Sequence, residues 1–191
     1  MDINKLAKEI FEQNKAAGWW DDMNRCIYQT LQLVNTEIAE ATEGVRKDLM
    51  DDHLPHRKME EVELADAMIR MLDLGGRCGW VHEDEWVMTD EDLREFVSIL
   101  RLEKPSRGLL HLGLSMVVTD IAKVLQEYDS PYELVSTDIN YEYSQFINSV
   151  LCVCHYHGYD LFETIEEKIS YNKSRLDHKR ENRVKEGGKK I

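Results

Sequence analysis

Apolar residues recur along this chain at helical spacing and almost nowhere at the spacing of a strand. Ile3, Leu6, Ala7, Ile10 and Phe11 share one face of a 3.6-residue period and predict an amphipathic first helix. Gly18 ends it, and Gly18-Trp19-Trp20-Asp21-Asp22 reads as a loop. A second stripe, Ile27, Leu31, Val34, Ile38, Ala41 and Val45, predicts a helix over 24–47. A third, Val62, Ala65, Ile69 and Leu72, predicts one over 56–77. Further on, Thr89 with Asp92 has the form of an N-cap for a short fourth helix, and Ser106 can cap a fifth over 108–128. A sixth is predicted over 139–157, and Asp160 with Glu163 opens a long last helix through Tyr171. Pro55, Pro105 and Pro131 all fall between these segments, where a residue without an N–H belongs. The expected fold is all-α: one helical-bundle domain over 1–191.

The spacing also suggests an internal repeat. Thr36-Glu37-Ile38-Ala39-Glu40 resembles Thr119-Asp120-Ile121-Ala122-Lys123, and Glu63 through Trp80 can be laid over Glu142 through Tyr159 without a gap. In that register Glu40 becomes Lys123 and Asp66 becomes Gln145, so the second copy keeps the helices and loses carboxylates. Any two amphipathic helix pairs align loosely, so residues 81–159 are either a degenerate second copy or an insertion. Residues 1–80 are the motif-bearing half, and 160–191 form the closing helix and a basic tail.

Charge changes the picture of possible partners. The net charge of -13 argues against a duplex nucleic acid partner. It is unevenly spread: from Lys168 to Ile191 nine Lys/Arg stand against three Asp/Glu, so an acidic body carries a basic end. No uninterrupted run of about eighteen apolar residues predicts a membrane span. The N-terminus lacks the apolar core of a signal peptide. A cytoplasmic location is expected, a host cytoplasm if the source is viral. Cys26, Cys78, Cys152 and Cys154 form no disulfide pattern and are expected to be reduced.

Two carboxylate pairs carry the candidate chemistry. Glu37 and Glu40 lie one turn apart on the second predicted helix; Glu63 and Asp66 repeat that spacing on the third. Two such helices packed antiparallel bring four carboxylates toward one point, as bundle proteins do to hold metals. Unneutralised, the four would repel strongly in a low-dielectric cleft, and a divalent cation removes that cost. All-oxygen donors point to Mg²⁺, with Mn²⁺ also suitable, rather than Zn²⁺. Solvated acidic faces are the plain alternative, but the apolar neighbours Val34, Ile38, Ala41, Val62 and Ala65 place both pairs near a helix interface. By contrast, Cys152-x-Cys154-His155-x-His157 does not predict zinc. On a helix positions 152 and 154 point about 200° apart, so buried thiols and helix-end histidines are expected there.

The segments LVNTEIAEATEGVRKD and EEVELADAMIRMLDL resemble the MazG-like nucleoside triphosphate pyrophosphohydrolases of the all-α NTP pyrophosphatase superfamily, whose mark is E-x-x-E, a spacer, then E-x-x-D. The Gly18-Trp19-Trp20 loop and Lys168-x-x-Tyr171-Asn172-Lys173-x-Arg175 resemble further family segments. Together these cover residues 1–80 and 160–175. Leu176 stands where the family often has proline, and Gly187-Gly188-Lys189 lacks the family's preceding histidine.

The resemblance implies Mg²⁺-dependent hydrolysis of a nucleoside triphosphate, a dNTP above all, to the monophosphate and pyrophosphate. It implies that Glu37, Glu40, Glu63 and Asp66 are the metal and catalytic residues, with one carboxylate, such as Glu40, orienting a water. Lys168, Lys173 and Arg175 would meet the triphosphate, as would Arg70, which can equally pair with Asp66 or Asp73. Trp19 and Trp20 would stack on a base or cover the bundle end. Asn172 would read a base edge or cap a turn, and Tyr171 would contact substrate or fill the core. The family's dimeric or tetrameric habit implies a homo-oligomer, unless an internal duplication supplies that interface within one chain. A catalytically silent nucleotide-binding or regulatory protein of the same fold is the alternative.

Overall fold

A computed structural model describes residues 2–22, 25–83, 106–128, 131–133 and 135–175. The short helix expected near Thr89, Pro105 and the basic tail after Arg175 lie outside the described residues. Six helices account for most of the described chain: α1 (Ile3–Ala16), α2 (Ile27–Lys47), α3 (Met59–Cys78), α4 (Arg107–Gln126), α5 (Thr137–His157) and α6 (Leu161–Ser174). A 3-10 turn, Pro131–Glu133, joins α4 to α5. Among the described residues there is no strand, only an isolated antiparallel bridge between Met50 and Lys58.

The helix ends follow local chemistry. Asp2, Ser136 and Asp160 each accept a hydrogen bond from a backbone N–H of the first turn they precede. Ser106 occupies the N-cap of α4 without making such a bond. α3 and α5 both stop at a glycine in the left-handed conformation, Gly79 (φ 73°) and Gly158 (φ 74°).

α3 is the central helix, packing against α1, α2, α5 and α6. It is accordingly buried nearly all round, with Val62, Leu64, Ala65, Ala67, Met68, Met71, Leu72 and Leu74 out of contact with water. α1 reaches it through Gly76, where a Cβ would stand 2.4 Å from the Ala7 carbonyl oxygen. α4 packs against α2 and α5, closing the other side. By length and composition α4 is also apolar enough to cross a membrane, although its apolar run is interrupted. The loop from Asp48 to Lys58 is tightly built. Asp51 Oδ1 accepts from the backbone N–H of His53 (2.9 Å) and of Leu54 (2.6 Å), and Lys58 Nζ bonds Asp48 Oδ1 at 2.8 Å. This short turn makes α2 and α3 antiparallel neighbours.

Candidate metal centre

The inward stripe of α2 that buries Val34, Ile38 and Ala41 against α3 also turns Glu37 inward. Opposite it, α3 presents Glu63 and Asp66 one turn apart. One carboxylate oxygen from each of Glu37, Glu63 and Asp66 lies within 4.8 Å of the other two. Two cations reach this cluster. Arg70 Nε donates to Glu37 Oε1 at 2.5 Å, and Lys168 Nζ donates to Asp66 Oδ2 at 2.7 Å. Lys168 arrives from α6 and is only 3% exposed.

α6 is held in place by Arg57, at the end of the α2–α3 loop. Its guanidinium bonds Glu61 (2.6 Å), Glu163 (2.8 Å) and Glu167 (2.9 Å), and the Thr164 hydroxyl lies 2.9 Å from Glu61 Oε1. The loop that pairs α2 with α3 therefore also docks the helix that delivers Lys168.

The electrostatics are those of an overloaded acidic site. Burial, then repulsion from Asp66 and Glu37, pushes the Glu63 carboxyl up to about 9. Burial raises Asp66 to about 6, outweighing the pull of Lys168 toward ionisation. Burial alone would lower Lys168, but the Asp66 carboxylate beside it holds its ammonium above the ordinary value. At neutral pH Glu63 thus keeps its proton and can share it with Glu37. A divalent cation would replace that proton and relieve the repulsion. The three-carboxylate donor set, free of imidazole or thiol, fits a hard ion such as Mg²⁺ or Mn²⁺.

Of the four carboxylates marked out by spacing, three converge. Glu40 is exposed and does not belong to the converging set. A helix turn separates it from Glu37, which places it toward solvent on the same side. Arg70 pairs with Glu37, rather than with Asp66 or Asp73 as spacing alone allowed. Trp20 is core: it is 2% exposed, donates its indole N–H to Asp73 Oδ1 at 3.0 Å, and meets Phe11 and Tyr132 edge-on. With Arg25 stacked 3.7 Å over its ring, Trp20 leaves no face for a base and covers the bundle end instead. Trp19 is half-buried against the core.

On α6, Tyr171 packs on His53 with ring centroids 4.9 Å apart, and Arg175 lies over the Tyr171 ring. Asn172 follows Lys168 by one turn, and its Oδ1 is buried without a hydrogen bond. Lys173 is exposed and lines a groove of about 440 Å³ with Lys5, Ile10 and Ile169, on a face of α6 turned away from the carboxylates. Lys123 pairs with Asp120 at the surface, and Gln145 is half-buried, so neither rebuilds the acidic cluster in the second half.

α3 carries more buried acid than its motif suggests. Asp73 is held by Trp20 and Arg25, and burial raises it to about 6. Glu60 is enclosed by Arg107, His111, His157 and Tyr159. The signal for the latter was present: His111 is the polar interruption in the apolar stretch Leu109-Leu110-His111-Leu112. Cys78, Cys152 and Cys154 are buried and Cys26 is exposed, and none of the four is in a disulfide. Comparison with family models, with curated proteins and with solved structures gave no match for this chain.

Proposed function

We propose that this chain is a Mg²⁺-dependent nucleotide pyrophosphohydrolase of the MazG-like class. It would cleave a nucleoside triphosphate, a dNTP above all, to the monophosphate and pyrophosphate. The observation that carries this reading is the convergence of Glu37, Glu63 and Asp66 between two antiparallel helices, with Lys168 brought to the same point by the closing helix. Glu37, Glu63 and Asp66 would hold the metal. When bound, such an ion neutralises phosphate charge and makes a coordinated water easier to deprotonate.

The chain's own residues divide the remaining work. Lys168 keeps Asp66 poised as a carboxylate despite its burial. Arg70 binds Glu37 through Nε, which leaves its terminal N–H groups to meet a phosphate. Glu40, exposed one turn from Glu37, would accept a proton from an attacking water. The unpartnered Asn172 Oδ1, one turn beyond Lys168, offers an acceptor to a substrate N–H.

A gene-internal duplication is part of the proposal. The left-handed caps at Gly79 and Gly158, and the capping bonds Trp80 N–H to Gly75 C=O and Tyr159 N–H to Cys154 C=O, recur in one register. That register is the one in which Glu63–Trp80 overlies Glu142–Tyr159. α4 and α5 would then stand where a second subunit stands in a two-chain relative.

A second reading, a silent nucleotide-binding or regulatory protein, is favoured by a separate observation. Arg70 and Lys168 already neutralise two of the three carboxylates internally. One experiment separates the two. The full chain is incubated with each dNTP and Mg²⁺, and pyrophosphate is measured. Release that disappears in chelator and in Asp66→Asn supports the enzyme. A folded protein that releases none from any nucleotide refutes it.

A further inference from the structure

We propose that Glu60, His111 and His157 form a second metal site, taking one divalent transition ion of the zinc type, separate from the acidic cluster and independent of its function. The three residues come from different helices and are almost wholly enclosed: Glu60 is 2%, His111 1% and His157 5% exposed. His111 Nε2 lies 3.1 Å and His157 Nε2 3.8 Å from the same oxygen, Glu60 Oε1. All three atoms are buried and none makes a hydrogen bond. At 3.1 Å the His111 ring nitrogen and the carboxylate oxygen are close enough to bond but misdirected for it.

The tautomer explains the misfit. The Thr42 hydroxyl has a single proton, directed to the Ile38 carbonyl at 3.0 Å. Its oxygen lies 2.9 Å from His111 Nδ1, and in the tautomer this proposal assigns it accepts from Nδ1–H. A neutral His111 then presents a bare lone pair at Nε2, facing a carboxylate oxygen. Lone pairs so placed repel unless a cation lies between them. One proton would satisfy one imidazole, but here a second imidazole faces the same oxygen. Donors bound to zinc at about 2.0–2.2 Å stand roughly 3.2–3.6 Å apart at tetrahedral angles. The two separations from Glu60 Oε1, 3.1 and 3.8 Å, bracket that interval, whereas the two imidazole nitrogens stand more than 4.8 Å apart and must close on the ion.

The surroundings are those of oriented ligands. Glu60 Oε2 is taken by Arg107 and by the Tyr159 hydroxyl (2.6 Å), leaving Oε1 for the ion. An imidazole whose other nitrogen donates to a fixed oxygen is the usual partner of such a carboxylate at zinc. Among the described residues only Glu37, Glu63 and Asp66 already have three donor atoms mutually within 4.8 Å. At Glu60 the imidazoles flank the oxygen, and the ion must draw His157 inward. His157 ends α5, next to the left-handed Gly158, where such a rotation disturbs no further helix turn. The bound ion would fasten α4 and α5 to the first turn of α3, one turn before Glu63.

The test uses the full chain, stripped with chelator and titrated with Co²⁺ in a large excess of Mg²⁺. The Mg²⁺ occupies oxygen-only sites. One equivalent of Co²⁺ is expected to bind with visible absorption bands of an imidazole-ligated ion and to be displaced by Zn²⁺. Glu63→Gln keeps those bands, and His157→Gln abolishes them. Thr42→Val removes only the acceptor for His111 Nδ1–H and weakens Co²⁺ binding about 10- to 100-fold. It also serves if His157→Gln fails to fold. The proposal is overturned if no Co²⁺ binds beside Mg²⁺, if the bands survive in folded His157→Gln, or if Thr42→Val binds as tightly as the parent. It is equally overturned if imidazole NMR of the metal-treated protein shows His111 still protonated on both nitrogens.

Discussion

Replacing Glu63 by glutamine should make the metal-free protein more stable, although it removes a central residue of the site. In the folded chain Glu63 holds its proton up to about pH 9, whereas its ordinary value is 4.5. The raised value fixes the sign. This group's contribution is intact below about pH 4.5 and is lost progressively as pH rises toward 9. At pH 7 the unfolded chain has released the proton and the folded chain has not. Keeping it costs the folded state up to about 3 kcal/mol at 1.36 kcal/mol per tenfold change in acidity. Glutamine is neutral in both states and avoids that cost. Its amide can still donate to Glu37, as the protonated acid does. For a domain of this size, about 3 kcal/mol corresponds to a rise in Tm of roughly 6–12 °C. Thermal melts of both proteins in chelator, from pH 4 to pH 9, measure it. The gain should be near zero at pH 4 and grow with pH. In saturating Mg²⁺ the order should narrow or reverse, because the parent is stabilised by ligand binding and Glu63→Gln has lost a charged ligand. A variant that melts at or below the parent in chelator at pH 7 would refute the reasoning, as would a gain independent of pH.

The same proton should appear in solution when metal binds. Calorimetric titration of Mg²⁺ at pH 7.5 in buffers of different ionisation enthalpy should show release of about one proton per ion, and none in Glu63→Gln. Glu40→Gln should leave metal-free stability within about 0.5 kcal/mol of the parent, since Glu40 is exposed. It should lower kcat for pyrophosphate release, and an unchanged kcat would remove Glu40 from the proposed chemistry. Gly76→Ala should destabilise by about 1–3 kcal/mol in denaturant titration. Its new methyl group meets backbone, the Ala7 carbonyl oxygen, rather than a side chain that can turn aside.

The helices were legible because their apolar stripes are long and their breakers lie where breakers belong. α1, α3 and α5 begin and end within a few residues of the expected positions. The acidic pairs were legible for the same reason: a period of 3.6 puts residues three apart on one face. Helix periodicity cannot say how far around that face the buried arc extends. Glu37 falls inside the arc and Glu40 outside it, which spacing alone could not decide. Nor does periodicity reveal partners distant in sequence. Arg57 meets Glu163 and Glu167 because the short α2–α3 loop and the turn after α5 bring those helix ends together, and His111 meets Glu60 because α4 packs against α2 and α5. For Trp20 the sequence left two uses open, stacking on a base or covering the bundle end, and its contacts with Phe11 and Tyr132 select the second.

α3 shows how a central helix can carry acid without unfolding the core. Glu60, Glu61 and Asp73 are buried on it and each has fixed partners, at Oε2 alone in the case of Glu60: Arg107 and Tyr159, Arg57 and Thr164, Trp20 and Arg25. Partnered in this way, a buried carboxylate is close to neutral in stability. Glu63 is different. Its neighbours are Asp66 and Glu37, and the two nearby cations bond those neighbours instead. Each of the other three meets a guanidinium directly, and Glu63 does not. A buried acid with no cation of its own, on a helix where Glu60, Glu61 and Asp73 each meet one, is the observation from which the proposed metal site is argued, and proton release on Mg²⁺ titration is its direct test.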